Sequence, residues 1–310
     1  MPRQSTMPPF LQSSLVALLT VLLFALAIEW LVGWLAVISA WQQLPPHLQL
    51  VALPLLLGSY LLRAWRNYDY FSDKLNNQWW RCVHVTMLHN ALNNLLPLRS
   101  GELSFPLLMR RHLGLGYSRT IPALLLMRLM DIVVLALLAL FVSLHATQHR
   151  WWLLLLLPLP LAGLPLQGAV LRQLLMYRRR TPVRLAVKAM AGLPRHFAAY
   201  CRCYLMTWLN WVVKLGMLAW LLAVMSRVPL PHAFWGALGG ELTSILPINP
   251  PAGLGSYEAG IVAGVALWQP PSVTLLAAAV NVHLLLLGSS LLAAMSAMLI
   301  DIGVSRARRL

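Results

Sequence analysis

Charged residues are scarce in this sequence, and three of them interrupt long apolar segments. Arg128 and Asp131 lie three residues apart in one apolar run, and Lys214 lies near the middle of another. Ionisable side chains in such surroundings are costly, and they face partners or water rather than hydrocarbon. Each of the three can therefore join an ion pair or bind a polar ligand.

The spacing leaves both readings open. Arg128 and Asp131 would share one face of a helix, so they can form a structural ion pair or line a polar path. Lys214 has Asn210 one helical turn before it and lies too far from either end of its run to reach the membrane surface. We expect Lys214 to pair with an acid or to bind an anionic group.

Two polar turns add further candidates. Asn94 precedes the first turn, in which Arg99 and Glu102 flank Gly101. The planar fork of an arginine suits a phosphate, although Arg99 can also be a cytoplasmic charge beside a capping glutamate. Asn249 begins the second turn, and Glu258 follows it, where an acid can cap a helix or face a ligand.

The two turns echo each other in sequence. A Leu-Pro pair precedes each turn, and a glutamate follows each. Arg128 lies 26 residues after Glu102, and His283 lies 25 residues after Glu258. The echo suggests an internal repeat.

The composition indicates the class of protein that holds these residues in place. Of the 310 residues, 59% are hydrophobic and 10% are charged, and the mean hydropathy is +0.70. A soluble chain of this length needs more polar surface, so the sequence predicts a multi-spanning membrane protein. The net charge of +16 lies mainly between apolar runs, which favours a cytoplasmic charge bias and anionic lipids over nucleic acid as partner.

We predict an all-α integral membrane protein with about six full spans and two re-entrant helical hairpins. The whole of 1–310 forms one transmembrane domain, with inverted-topology repeats over 11–145 and 151–300. The hairpins lie around the two turns. The full spans are predicted at 11–40, 48–62, 121–144, 151–171, 204–225 and 272–300.

Topology follows from the basic residues. With the N-terminus inside, the basic stretches 63–81, 99–119, 172–202 and 306–309 all become cytoplasmic, as do both termini. Residues 172–202 are predicted to form a basic cytoplasmic loop. The three cysteines show no paired spacing, so we expect neither a disulfide framework nor a metal site.

Two stretches carry a family resemblance: Asn94-Leu95-Leu96-Pro97-Leu98-Arg99-Ser100-Gly101-Glu102, continued by Arg110-Arg111 and 124–131, and the later stretch 246–258. They resemble the flippase-like transmembrane region of lysylphosphatidylglycerol synthases, which also occurs as small stand-alone membrane proteins. The resemblance covers about 11–300. It departs at Met127, where the family has a glutamate. We expect no synthase domain after Leu310, and therefore no synthesis of lysylphosphatidylglycerol.

The resemblance implies a flippase or scramblase-like lipid transporter in a bacterial inner membrane. Its substrate would be an anionic phospholipid, an aminoacylated lipid or a polyprenyl-linked lipid. Anionic headgroups are the expected partners, and the sequence leaves open whether the chain forms a homo-oligomer. The residues expected to line the headgroup path are Asn94, Arg99, Glu102, Arg128, Asp131, Lys214, Asn249 and Glu258.

Two alternatives remain at this stage. One is an intramembrane lipid-modifying enzyme, and the other is a non-catalytic subunit of a lipid-synthesis complex. The sequence has no HExxH metal motif and no glycine spacing typical of an intramembrane serine protease. We therefore expect a transporter without catalytic residues, metal or cofactor.

Overall fold

A computed structural model describes residues 9–75, 77–145, 193–194, 196–244 and 250–307. All regular secondary structure within these residues is helical. The α-helices are α1 (Pro9–Leu31), α2 (Trp34–Gln42), α3 (Pro46–Tyr70), α4 (Ser72–Leu75), α5 (Trp79–Leu95), α6 (Ser104–Leu113), α7 (Tyr117–His145), α8 (Phe197–Ser226), α9 (Leu230–Thr243), α10 (Ser256–Ala266) and α11 (Val273–Ala307).

Several of these helices can cross a bilayer. In the described residues α3, α7, α8 and α11 are long and apolar enough, and α1 with α2 would make a fifth span if counted together. The chain is thus an all-helical, multi-pass membrane protein, as predicted. The predicted span 151–171 and most of the predicted loop 172–202 lie outside the described residues, while 197–202 belong to the start of α8.

The first predicted span is not a single straight helix. α1 and α2 are bent by 76° relative to each other. Gly33 lies at the bend with a φ of 82°, a backbone conformation that favours glycine. The predicted span over 11–40 is therefore interrupted by a bend at Gly33, and it is one span only if the two helices are counted together.

The second predicted span was placed too short. It was expected to end at Leu62, with Arg63 and Arg66 in an interfacial segment, whereas α3 continues to Tyr70. The helix continues past the charges because both arginines find polar partners on neighbouring helices. Buried charges that are hydrogen-bonded in this way do not require an exit from the membrane.

Two short helix pairs occupy the predicted hairpin positions. The first helix pair consists of α5 and α6, joined by a 3₁₀ segment at Pro97–Leu103. The second helix pair consists of α9 and α10, with a 3₁₀ segment at Pro251–Gly253 before α10. The helices of each pair pack against each other, and the two 3₁₀ segments are in contact.

Glycines allow α9 and α10 to pack closely. A Cβ atom on Gly264 would overlap the carbonyl oxygen of Trp235, and one on Gly239 would overlap that of Gly260. Cβ atoms on Gly236 and Gly240 would lie 2.9 Å from side-chain carbons of Val265 and Ile261. These glycines therefore allow the close packing of the two helices.

Replacing Gly264 by alanine should separate α9 from α10 and destabilise the protein by about 1–3 kcal/mol. The reason is that the clash involves backbone, which cannot rotate away. Thermal unfolding in detergent would measure the effect. Gly288→Ala on α11 is the matched control, because no atom lies within 4 Å of the added Cβ. Equal melting temperatures for the two variants would contradict the packing argument.

Candidate functional site

A cavity of about 430 Å³ lies between the first helix pair and helices α3, α7, α8 and α9. We call it the central cavity. Its charged and amide side chains come from six different helical segments, and we call them together the charged wall. The lining residues are Arg63, Asn93, Asn94, Glu102, Leu103, Pro106, Ile121, Leu124, Leu125, Arg128, Asp131, Ile132, Trp211, Lys214, Glu241 and Ser244.

Apolar side chains also line the central cavity. Leu103, Ile121, Leu125 and Ile132 are 45–73% exposed. Three of them belong to α7, which is long and apolar enough to cross a bilayer. We call these four side chains the apolar rim, and the central cavity therefore combines a charged wall with this rim.

Arg128 connects two acids on the charged wall. Its guanidinium binds Glu102 through two nitrogens, with Nη2–Oε1 at 2.8 Å and Nε–Oε2 at 3.1 Å. Its Nη1 also lies 3.3 Å from Asp131 Oδ2. The fork geometry fixes both the α7 side chain and the 3₁₀ segment that carries Glu102.

Asp131 extends this network to α3 and α8. Arg66 Nη1 donates to Asp131 Oδ1 at 2.7 Å, and Trp211 Nε1 donates to the same oxygen at 3.1 Å. Arg66 also donates to Thr207 Oγ1 at 2.9 Å. The carboxylate is buried and accepts hydrogen bonds from α3, α7 and α8, so it joins three helices.

A second ion pair lies on the same wall. Lys214 Nζ donates to Glu241 Oε2 at 2.7 Å, and Tyr257 Oη donates to Glu241 Oε1 at 3.1 Å. All three side chains are buried. The predicted partner of Lys214 is thus an acid on α9, although the same ammonium also faces the central cavity.

Glu258 has a local role and a long-range role. Its Oε2 accepts the backbone N–H of Gly255 at 2.9 Å, which caps the start of α10. Its Oε1 lies 2.7 Å from His283 Nδ1 on α11. Tyr257 stacks on the His283 ring with the ring centroids 4.5 Å apart.

A smaller cavity of about 50 Å³ adjoins the central one and reaches His283 and Tyr257. The two cavities share Asn93, Asn94, Lys214, Glu241 and Ser244 as lining residues. The smaller cavity is large enough for one or a few water molecules. The second helix pair is therefore linked to the central cavity by a polar passage.

The sequence echo corresponds to two real contacts. Glu102 pairs with Arg128, and Glu258 pairs with His283, each across the offset seen in the sequence. Glu102 lies within a 3₁₀ segment and Glu258 follows one, and the partner of each lies on a long apolar helix.

A comparison with protein families decides the affiliation of the chain. Residues 14–294 match the family described as Lysylphosphatidylglycerol synthase TM region. The chain belongs to that family. Neither the curated proteins nor the solved structures gave a match to the chain.

All eight predicted site residues of this lysylphosphatidylglycerol synthase TM region protein fall within the matched segment, but only some can be placed. Asn94, Glu102, Arg128, Asp131 and Lys214 line the central cavity. Glu258 is hydrogen-bonded to His283, and His283 lines the smaller cavity. The side chain of Arg99 and all of Asn249 lie outside the described residues.

Sequence reasoning missed two members of the charged wall in this family member, Arg63 and Glu241. It also missed Arg66, which does not line the central cavity but binds Asp131. The spacing of Arg63 and Arg66 was a usable signal, since residues three apart share a helix face. Extending the 48–62 span by two turns would have placed both arginines inside the helix.

Proposed function

We propose that this protein transports lipid between the leaflets of a membrane, with the headgroup in the central cavity and the acyl chains outside it. The observation that carries the proposal is the combination of a charged wall and an exposed apolar rim around one cavity. An amphiphile matches both surfaces at once. The name of the family, which refers to a lysylphosphatidylglycerol synthase, supports a phospholipid as substrate.

The arrangement of the helix pairs supports a path through the membrane. In our proposal each pair is a re-entrant hairpin, and the two enter from opposite sides as parts of inverted repeats. The contact between the two 3₁₀ segments and the matching Glu102–Arg128 and Glu258–His283 pairs favour this arrangement. Non-helical backbone is tolerated at membrane depth where it is buried or lines a cavity.

We also propose a bacterial inner membrane location with both termini in the cytoplasm. The distribution of basic residues along the sequence supports this orientation. Cysteine labelling from either side of the membrane, at positions near Arg119 and near Pro229, would test it. The former position should react from the cytoplasm and the latter from the outside.

The enzyme alternative finds little support in the contacts near the first helix pair. His89 and Ser104 lie 2.9 Å apart, as a base and a nucleophile would. However, the Ser104 hydroxyl donates to the carbonyl of Gly101 at 2.6 Å, so His89 Nδ1 must be the donor in its bond to Ser104. A serine used in this way holds the turn of the helix pair and has no proton to give to a base.

A leaflet-exchange assay tests the proposed function. The protein would be placed in liposomes containing fluorescent phosphatidylglycerol, and exchange would be followed by quenching the outer leaflet. Arg128→Gln should slow protein-dependent exchange by about 10- to 100-fold, the loss expected when one charge-assisted contact worth roughly 1.5–3 kcal/mol is removed. Glu102→Gln should slow exchange less, because Arg128 keeps Asp131.

Arg119→Gln is the control for a changed net charge. Arg119 lies on the surface, 43% exposed, and pairs with Asp73 at 3.6 Å. Its exchange rate should equal that of the unaltered protein. If no labelled lipid in a panel including polyprenyl phosphates exchanges faster than in empty liposomes, the transport proposal is wrong.

A further inference from the structure

The contact between Glu258 and His283 differs from the other histidine contacts of the protein. In the described part of the chain, His283 is the only histidine with a nitrogen within 4.0 Å of a carboxylate oxygen, at 2.7 Å. His84 bonds instead to a backbone carbonyl, and His89 bonds to the Ser104 hydroxyl. Both Glu258 and His283 are buried. A buried acid beside a buried imidazole can hold a proton in more than one place.

The net charge of the Glu258–His283 pair depends on one proton. Among the described side chains, no lysine or arginine nitrogen lies within 4.0 Å of a Glu258 oxygen. Lys214, which lines the smaller cavity, is paired with Glu241 at 2.7 Å. Buried charges are costly when they are not paired. The Glu258 carboxylate therefore gains a full counter-charge from its neighbour when His283 carries a second hydrogen.

The smaller cavity gives a proton access to the His283 ring. Glu258 occupies Nδ1, so an ionised carboxylate fixes the hydrogen of the neutral ring on that nitrogen. Nε2 then has a lone pair, and it makes no hydrogen bond within the described residues. The ring lines the smaller cavity, which has room for water. A hydronium ion can transfer one proton to Nε2 and leave as water, with no other bond changed.

The other titratable groups around His283 and the smaller cavity already have partners. Among the described residues, the polar groups of the packed helices are Tyr257 and Glu258 on α10, Glu241 on α9, Lys214 on α8, Tyr60 on α3, and the amides Asn93 and Asn94 on α5. α2 contains no titratable side chain. Lys214 and Tyr257 both donate to Glu241, and Tyr60 bonds to Ser289. Proton exchange at the smaller cavity is therefore assigned to His283 and Glu258.

Tyr257 connects His283 with the central cavity. Its ring stacks on that of His283 with the centroids 4.5 Å apart, and its hydroxyl donates to Glu241 Oε1 at 3.1 Å. Glu241 lines both cavities. A cation is attracted to the face of an aromatic ring, so an imidazolium stacks on Tyr257 more strongly than a neutral imidazole does. Proton uptake by His283 therefore tightens a stack whose tyrosine also holds an acid of the charged wall.

We infer that His283, oriented by Glu258, is a proton-binding site that opens onto the smaller cavity. The bound proton adds to Nε2, and the Glu258 carboxylate neutralises the resulting imidazolium. Chains of ionisable groups inside a membrane serve as proton relays in pumps and transporters. The proton site itself is independent of the proposed function. Only its use in transport, where proton occupancy sets the rate of lipid exchange, rests on that proposal.

Nitrogen NMR of the full-length protein in detergent, with isotope-labelled histidine, tests the site. His283→Gln identifies the resonances of the ring by their loss. Nε2 of His283 should lack a hydrogen at about pH 8 and should carry one at about pH 5. Glu258→Gln keeps an oxygen for the cap at Gly255 but removes the counter-charge of the imidazolium. The same change should then require a proton concentration at least about tenfold higher.

His47→Gln is the control for the loss of a histidine. His47 is exposed and lies beside the ring of Trp220 rather than beside an acid. The titration of His283 should be the same in this variant as in the unaltered protein. If His283→Gln does not fold, the resonance that shifts in Glu258→Gln but not in His47→Gln identifies His283 instead.

Two results would overturn the inference. One is an Nε2 of His283 that stays without hydrogen from about pH 8 to about pH 5. The other is a titration of His283 that is unchanged in Glu258→Gln, because the carboxylate would then not stabilise the bound proton.

Leaflet exchange at the same two pH values separates this inference from the proposed function. Exchange by the unaltered protein should differ about tenfold between them, and exchange by His283→Gln should not differ. Exchange that is independent of pH while the ring titrates would retain the proton site and reject its coupling to transport. Complete absence of exchange would reject the proposed function alone, because the NMR titration does not require transport.

Discussion

Replacing Asp131 by asparagine is expected to lower the free energy of unfolding by about 3–5 kcal/mol, the usual effect of removing one partner from a buried ion pair. The carboxylate accepts from Arg66 and Trp211 through one oxygen and from Arg128 through the other. An asparagine retains an acceptor but loses the charge, so Arg66 would be left as a buried cation without a counter-ion. Unfolding in mixed micelles with increasing dodecyl sulfate would measure the loss.

Asp73→Asn is the matched control for the same chemical change. Asp73 pairs with Arg119 at 3.6 Å, and its side chain is 65% exposed. An exposed pair of this kind contributes about 0–1 kcal/mol. If Asp131→Asn cost no more than Asp73→Asn, the carboxylate would not join the three helices as described.

The Lys214–Glu241 pair allows stability and transport to be separated. Lys214→Met and Glu241→Gln should each cost about 3–5 kcal/mol, because each leaves one buried charge without its partner. The double variant should lose much less than the sum, since both charges disappear and Tyr257 can still donate to the glutamine oxygen. The same unfolding measurement, made on all four proteins, gives the coupling energy.

Leaflet exchange by the double variant then tests the role of Lys214 in the cavity. We expect the doubly substituted protein to be folded and to exchange labelled phosphatidylglycerol more slowly, because the central cavity has lost an ammonium group. Unchanged exchange in this folded protein would assign the pair to stability alone. Additive losses in the single and double variants would instead contradict the direct contact at 2.7 Å.

The helices that could be predicted from the sequence are those for which the length of an apolar run is sufficient evidence. Helices α7, α8 and α11 cover the predicted spans, because uninterrupted apolar runs of about 20 residues have few other solutions in a membrane. The bend at Gly33 was missed because a hydropathy pattern contains no information on backbone conformation. The length of α3 was missed because its terminal charges are tolerated only through partners on α5, α7 and α8, which no local pattern reveals.

The site was predictable in its members but less so in its pairings. Because acids are scarce, Glu102, Asp131 and Glu258 could be selected from the sequence. The equal offsets fall on two of the contacts, but they had been interpreted only as an internal repeat. The choice between ion pair and ligand for Arg128 could not be made from spacing, and the structure shows that this residue both forms ion pairs and lines the cavity. Arg63 also lines the cavity, although the sequence did not single it out.

The carboxylate of Glu258 fastens the second helix pair to its neighbour. One oxygen holds the first turn of α10 through Gly255, and the other holds His283 in the middle of α11. Separating α10 from α11 would break a 2.7 Å bond between two buried side chains. We therefore expect these two helices to move together in any motion that changes the width of the central cavity.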